Sequence, residues 1–113
     1  MIGFPALKGD FLQQEIKKYV IKNNNWSLNT NYHFGGYAKI TEELITFINK
    51  FKRETSIPLD PVYTGKMLFG IVDLIKRDFF KKGTKILAIH TGGLQGIDGM
   101  NVLLKKKKLP QII

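Results

Sequence analysis

Apolar and polar residues alternate along this chain with a period that changes from block to block. Over 11–20, Phe11, Leu12, Ile16, Tyr19 and Val20 share one face at helical spacing, with Lys17 and Lys18 opposite, which predicts an amphipathic helix. Asp10 can cap its first turn, Gln13 holds the capping-box position, and Asn23-Asn24-Asn25 ends it. Upstream, Ile2-Gly3-Phe4-Pro5-Ala6-Leu7 reads as the end of a strand entering a loop. Trp26, Leu28, Thr30, Tyr32 and Phe34 recur at even offsets and suggest a strand before the paired glycines Gly35-Gly36.

The period then returns to that of a helix. Thr41 is a cap, Glu42 and Glu43 suit the positive end of the helix dipole, and Ile40 can staple to Ile45. Leu44, Ile45, Phe47, Ile48 and Phe51 supply the buried stripe. Ile57-Pro58-Leu59-Asp60-Pro61 cannot be helical, because each proline disfavours helix in the residue before it. A second buried helix is predicted from Thr64 or Gly65 to about Phe80, with Met67, Leu68, Ile71, Val72, Leu74, Ile75 and Phe79 as a wide apolar face. Lys85-Ile86-Leu87-Ala88-Ile89-His90 is the clearest strand of all; its nearly unbroken apolar run suggests a parallel strand covered on both faces. It ends in Thr91-Gly92-Gly93-Leu94-Gln95-Gly96, a turn leading into a helix. Strands alternating with helices predict an α/β fold with a partial, open, mostly parallel sheet and flanking helices.

Composition narrows the classes. The chain has 113 residues, 43% of them hydrophobic, which suits one domain or one piece of a larger one. With no cysteine, neither a disulfide framework nor a thiolate zinc site can form. No apolar run approaches the ~20 residues of a membrane span, and the first residues lack the pattern of a signal peptide, so the expectation is a cytoplasmic protein without a membrane partner. The net charge is +9, but Arg53 and Arg77 are the only arginines among 18 basic residues. Arginine is the side chain best suited to phosphate and guanine contacts, so the charge argues poorly for nucleic acid. The run Lys105-Lys106-Lys107-Lys108 reads as a solvated tail.

Two segments can carry chemistry. In open α/β sheets ligands bind beyond the carboxyl ends of strands, and the turn after Ile89 is such a place. Its glycines allow close backbone approach and Thr91 adds a hydroxyl, although the same residues also describe an ordinary strand-to-helix turn. The second is Asp60-Pro61-Val62-Tyr63-Thr64-Gly65-Lys66, where Tyr63 at a helix start can donate a hydrogen bond or move a proton. The plain alternative is that Tyr63 packs, Thr64 caps and Lys66 is solvated. His33 and His90 stand isolated, with no metal-ligand spacing around either.

These two motifs carry a resemblance. DPVYTGK at 60–66 resembles the signature of the 1-aminocyclopropane-1-carboxylate deaminase and D-cysteine desulfhydrase family, in which the tyrosine is followed by threonine in desulfhydrases and by glutamate in cyclopropane deaminases. IHTGGLQG at 89–96 resembles the next motif of that family, and LKG at 7–9 followed by FLQQEI resembles the segment that opens this part of those enzymes. Tyr37 precedes Tyr63 by 26 residues, in agreement with the spacing of the family's two active-site tyrosines.

The resemblance implies a tryptophan-synthase-β-like fold that binds pyridoxal 5'-phosphate (PLP), of which residues 1–113 are the C-terminal part of one domain. It implies Tyr63 and Tyr37 as catalytic residues, with Thr64, Thr91 and Gly92 on the cofactor and Thr91 as the partner of the ring nitrogen. The complete enzyme would release ammonia and a 2-oxo acid from a small amino acid, 1-aminocyclopropane-1-carboxylate or D-cysteine, and Thr64 in place of glutamate points toward the desulfhydrase. The Schiff-base lysine and the phosphate loop of the family belong to an N-terminal segment with no counterpart here, and cofactor binding by this chain alone is not expected. The partners implied are the substrate, that N-terminal part, or further copies of the chain. Two alternatives stand beside this reading: a non-catalytic remnant of a truncated or split gene, and a small basic nucleic-acid-binding protein.

Overall fold

A computed structural model describes all of residues 1–113. Two strands and four helices follow in the order β1 (Ile2–Gly3), α1 (Phe11–Lys17), β2 (Ser27–Leu28), α2 (Glu42–Thr55), α3 (Thr64–Lys76) and α4 (Gly96–Lys106). The strands are parallel, with Ile2 opposite Ser27 and Gly3 opposite Leu28. The fold is α/β, with a small parallel sheet as expected.

The helices form where sequence signals and packing agree. Thr41 caps α2, its hydroxyl accepting from Leu44 N at 3.2 Å. Glu42 and Glu43 occupy the first turn and Lys52 and Arg53 the last, matching the helix dipole at both ends. Leu44, Ile45 and Ile48 of α2 meet Leu59, Met100, Leu104 and Ile112 in the core. Extended residues at the end of the chain complete this core through two asparagines. Asn49 pairs with Gln111 O and Ile113 N, and Asn101 with Ile112 O and N, at 2.8–2.9 Å, so Ile112 is held inward.

A second cluster is aromatic. Phe69 of α3 packs edge-on against Phe34 (centroids 4.9 Å) and Phe47 (5.3 Å), and Tyr32 bridges Phe69 to Phe4. Gly70 makes this possible: a Cβ there would lie 2.6 Å from Phe4 Cε1.

Four expectations need correction. Helix α1 stops at Lys17, Asp10 makes no side-chain cap, and none of its residues is buried. Tyr19 is 84% exposed, because a two-stranded sheet offers the apolar face nothing to cover it. In the stretch from Trp26 to Phe34 only Ser27 and Leu28 pair as a strand. Helix α3 ends at Lys76, and Asp78 takes the left-handed conformation at φ 55°. The apolar run Lys85–His90 joins no ladder and Leu87 is 86% exposed. Its composition is that of a strand, but a strand exists only by pairing, and no second strand lies beside it.

Candidate active site

Asp60 organises the start of α3. It is 1% exposed, and its carboxylate accepts from Val62 N (2.8 Å), Tyr63 N (2.7 Å), Thr64 N (2.7 Å) and the Thr64 hydroxyl (2.6 Å). These are the amides that a helix N-terminus leaves without partners, and a negative charge there is doubly favourable. Thr64 closes the turn: its Oγ1 also accepts from Asp60 N at 2.9 Å. The Thr64 hydroxyl is therefore committed to Asp60 on both sides, and the cap belongs to Asp60 rather than to Thr64. An Asp four residues ahead of a Thr at a helix start is a capping signal that sequence reading could have used.

Gly65 follows for a steric reason. A Cβ at this position would lie 2.6 Å from Asp60 O and 2.7 Å from Ile48 Cδ1, so only glycine lets the first turn sit against both. The tight turn directs Tyr63 outward, where its hydroxyl donates to that of Tyr37 at 3.3 Å, with ring centroids 6.2 Å apart. The two tyrosines singled out in the sequence thus stand together, 54% (Tyr37) and 49% (Tyr63) exposed on one side. The hydrogen bond to Tyr37, with smaller contributions from desolvation and the Tyr37 and Asp60 charges, raises the Tyr63 pKa above the ordinary phenol value.

The glycine-rich turn reaches the same region. His90 Nε2 lies 2.9 Å from Pro58 O, and Gly92 N donates to His90 Nδ1 at 3.1 Å. His90 is therefore a latch between the two motifs. Gly93 lies against Asp60, where an added Cβ would be 3.0 Å from the carboxylate carbon. Gly92 and Gly93 have φ of 92° and 84°, a conformation that glycine adopts without strain. The Gly92 face is open: a Cβ there would meet nothing within 4 Å, and Thr91 is exposed. Cavities of about 410 Å³ beside Lys17 and Trp26 and about 680 Å³ between Ile75 and Ile86 lie elsewhere. The tyrosine pair and the Gly92 turn are each open at the surface, and their segments are joined through Asp60 and His90.

Lys66 was missed. Far from being solvated, it is 2% exposed and donates to His33 O at 2.8 Å and Gly36 O at 2.9 Å. Burial pulls its pKa down to about 8, partly offset by the Asp60 charge. Nothing in the spacing of lysines announces such burial.

This strand-poor α/β unit, with paired tyrosines at a capped helix start, is similar to part of several longer proteins. A putative 1-aminocyclopropane-1-carboxylate deaminase of Pyrococcus horikoshii is 50% identical over 66 residues, covering 58% of this chain and 20% of that protein. A bifunctional D-cysteine desulfhydrase/1-aminocyclopropane-1-carboxylate deaminase of Arabidopsis thaliana is 46% identical over 63 residues (55% of this chain, 16% of that protein). The deaminase of Rhizobium leguminosarum is 31% identical over 85 residues (75% and 25%). A crystal structure of an ACC deaminase homologue superposes with a TM-score of 0.76 at 32% identity, covering 91% of this chain and 35% of that one. No family model matches the chain. By sequence and by fold the chain is homologous to part of the 1-aminocyclopropane-1-carboxylate deaminase and D-cysteine desulfhydrase family, consistent with the C-terminal portion. It spans about a fifth of the length of the curated relatives it matches.

Proposed function

We propose that this chain forms the substrate side of the active site of a PLP-dependent enzyme that releases ammonia and a 2-oxo acid from a small amino acid. The observation that carries this reading is the Tyr37–Tyr63 pair at 3.3 Å, on the helix start that Asp60 caps, with Gly93 of the second motif against that same Asp60. The residues present fit one side of the cofactor. A flat ring needs a face kept clear of side chains, and Gly92 leaves one. Thr91 would offer its hydroxyl to the ring nitrogen, Gly92 would line the ring with its backbone, and Thr64 would contribute by fixing the turn through Asp60. When bound, PLP supplies the electron sink that stabilises a carbanion at the substrate α-carbon.

The protein's own residues do the rest. Tyr63 holds a proton at its hydroxyl under neutral conditions and, with Tyr37 as hydrogen-bond partner, can deliver it to a reacting substrate atom or receive one back. Thr64 follows this tyrosine where cyclopropane deaminases carry glutamate, which favours D-cysteine over 1-aminocyclopropane-1-carboxylate as substrate. The test is a chimera in which this chain replaces the matching segment of the Pyrococcus horikoshii relative. We expect it to form pyruvate, ammonia and sulfide from D-cysteine faster than it opens 1-aminocyclopropane-1-carboxylate. A soluble, PLP-loaded chimera that turns over neither substrate would contradict the proposal.

A further inference from the structure

We propose that Lys66 is a positioning residue: its buried ammonium fixes the Gly35-Gly36 turn and thereby sets Tyr37 against Tyr63. The inference rests on the functional reading of the tyrosine pair only for its meaning, since the geometry stands without it. Tyr63 and Lys66 are three residues apart at the start of α3 and share one face. Both reach the same turn. Tyr63 meets the Tyr37 hydroxyl, while Lys66 Nζ donates to His33 O and Gly36 O at 2.8 and 2.9 Å. The Gly36 carbonyl belongs to the peptide plane that precedes Tyr37, so holding it sets the direction in which Tyr37 leaves the backbone.

The turn needs such a tether. Gly35 and Gly36 have φ of 101° and 128°, and a pair of glycines loses more conformational freedom on ordering than any other residues. Within the turn itself, the only further restraints are Gly35 N to His33 Nδ1, Gly36 N to His33 O and Lys39 N to Gly36 O. A buried ammonium is an expensive way to fill space, and its lowered pKa records that cost. An apolar side chain of the same length would pack at lower cost and could not donate to two carbonyls.

The test compares the chain with Lys66→Met by NMR, using ¹³C-labelled tyrosine. In the parent at neutral pH, below the Lys66 pKa of about 8, the Tyr37 and Tyr63 rings should show mutual NOEs. In Lys66→Met the NOEs should vanish, while the signals of Tyr32, bonded to Asp73 at 2.7 Å elsewhere on α3, stay unchanged. The protein has no cysteine, so Lys66→Cys carries a single thiol. Alkylating it in the unfolded state with 2-bromoethylamine rebuilds an ammonium of lysine length, and refolding should restore the pair. Retained NOEs in Lys66→Met, with the Tyr32 signal intact, would overturn the proposal. If Lys66→Met also loses the Tyr32 signal, the unaltered chain decides through ¹⁵N-labelled lysine. One ammonium with slowly exchanging protons and NOEs to Gly36 upholds the tether, and its absence overturns it. Separation of the rings in Lys66→Met, together with full turnover by a Tyr63→Phe chimera, upholds the positioning role and overturns the functional reading of the pair.

Discussion

Asp60 satisfies four donors with one carboxylate, and the site hangs on it. Replacing it with alanine leaves three amides and a hydroxyl in a buried turn without their acceptor. A lost cap costs about 0.5–2 kcal/mol, and unsatisfied buried donors add to this. We expect Asp60→Ala to destabilise the chain by about 2–3 kcal/mol, read as a fall in the urea midpoint. Gly65→Ala should cost about 1–3 kcal/mol by overpacking against Asp60 and Ile48. The buried lysine gives a pH dependence of definite sign. Its pKa is about 8 in the folded chain and 10.5 when free, so between these values the unfolded state binds more protons. Stability contributed by this group therefore rises with pH from about 8 until tyrosine ionisation begins near 10.0. Tyr32 and Tyr63 act in the opposite sense beyond that point, because their raised pKa values hold protons the unfolded chain has already released. Urea melts across this range should show the rise in the parent and none in Lys66→Met.

At the scale of elements, α2 and the run Lys85–His90 make a useful contrast. Both have strong sequence signals. Helix α2 forms its hydrogen bonds within itself, so Thr41 and the stripe of Leu44, Ile45 and Ile48 sufficed to read it. The run Lys85–His90 reads as a strand with equal clarity, but its bonds must come from a neighbour, and composition cannot say whether the neighbour is there. Hydrogen exchange should separate the two. Amides of Ile86, Leu87 and Ile89 should exchange at nearly unfolded rates, while those of Ile45 and Ile48 are protected. Protection of Ile86–Ile89 comparable to that of α2 would reveal a pairing partner. The same logic explains what was readable in the site. Tyr37 and Tyr63 are legible through the family resemblance, whose motif and spacing are linear properties. Asp60 as the hub is a local capping signal, within reach of linear reading, whereas Gly93 against it and Lys66 under the glycine turn arise from contacts between distant segments, which the linear sequence does not disclose.

At the scale of the molecule, the chain is loosely filled. Only 17 of 113 residues are buried, and the radius of gyration is 15.0 Å, against the ~13 Å typical of a compact domain near this size. Phe11, Tyr19, Ile75, Phe79, Leu87 and Ile89 are exposed together with an unpaired extended segment, and such surfaces associate. The +9 charge opposes this only partly, since physiological salt screens exposed charges beyond about 8 Å. Size-exclusion chromatography with light scattering should show dimers or larger species, or a marginally stable monomer that melts well below about 60 °C. A monodisperse monomer with a cooperative transition above about 60 °C would mean that these residues suffice for a stable domain.

The central claim is that Tyr63, paired with Tyr37, moves a proton in the reaction of a PLP enzyme. The kcat of the Pyrococcus chimera on D-cysteine, with and without Tyr63→Phe, tests it most directly. Removing one hydroxyl from a general acid–base group should lower kcat by about 10²–10⁴-fold, with PLP absorbance retained. A Tyr63→Phe chimera that keeps the parent kcat within about twofold, well short of the factor an acid–base group supplies, would contradict the account.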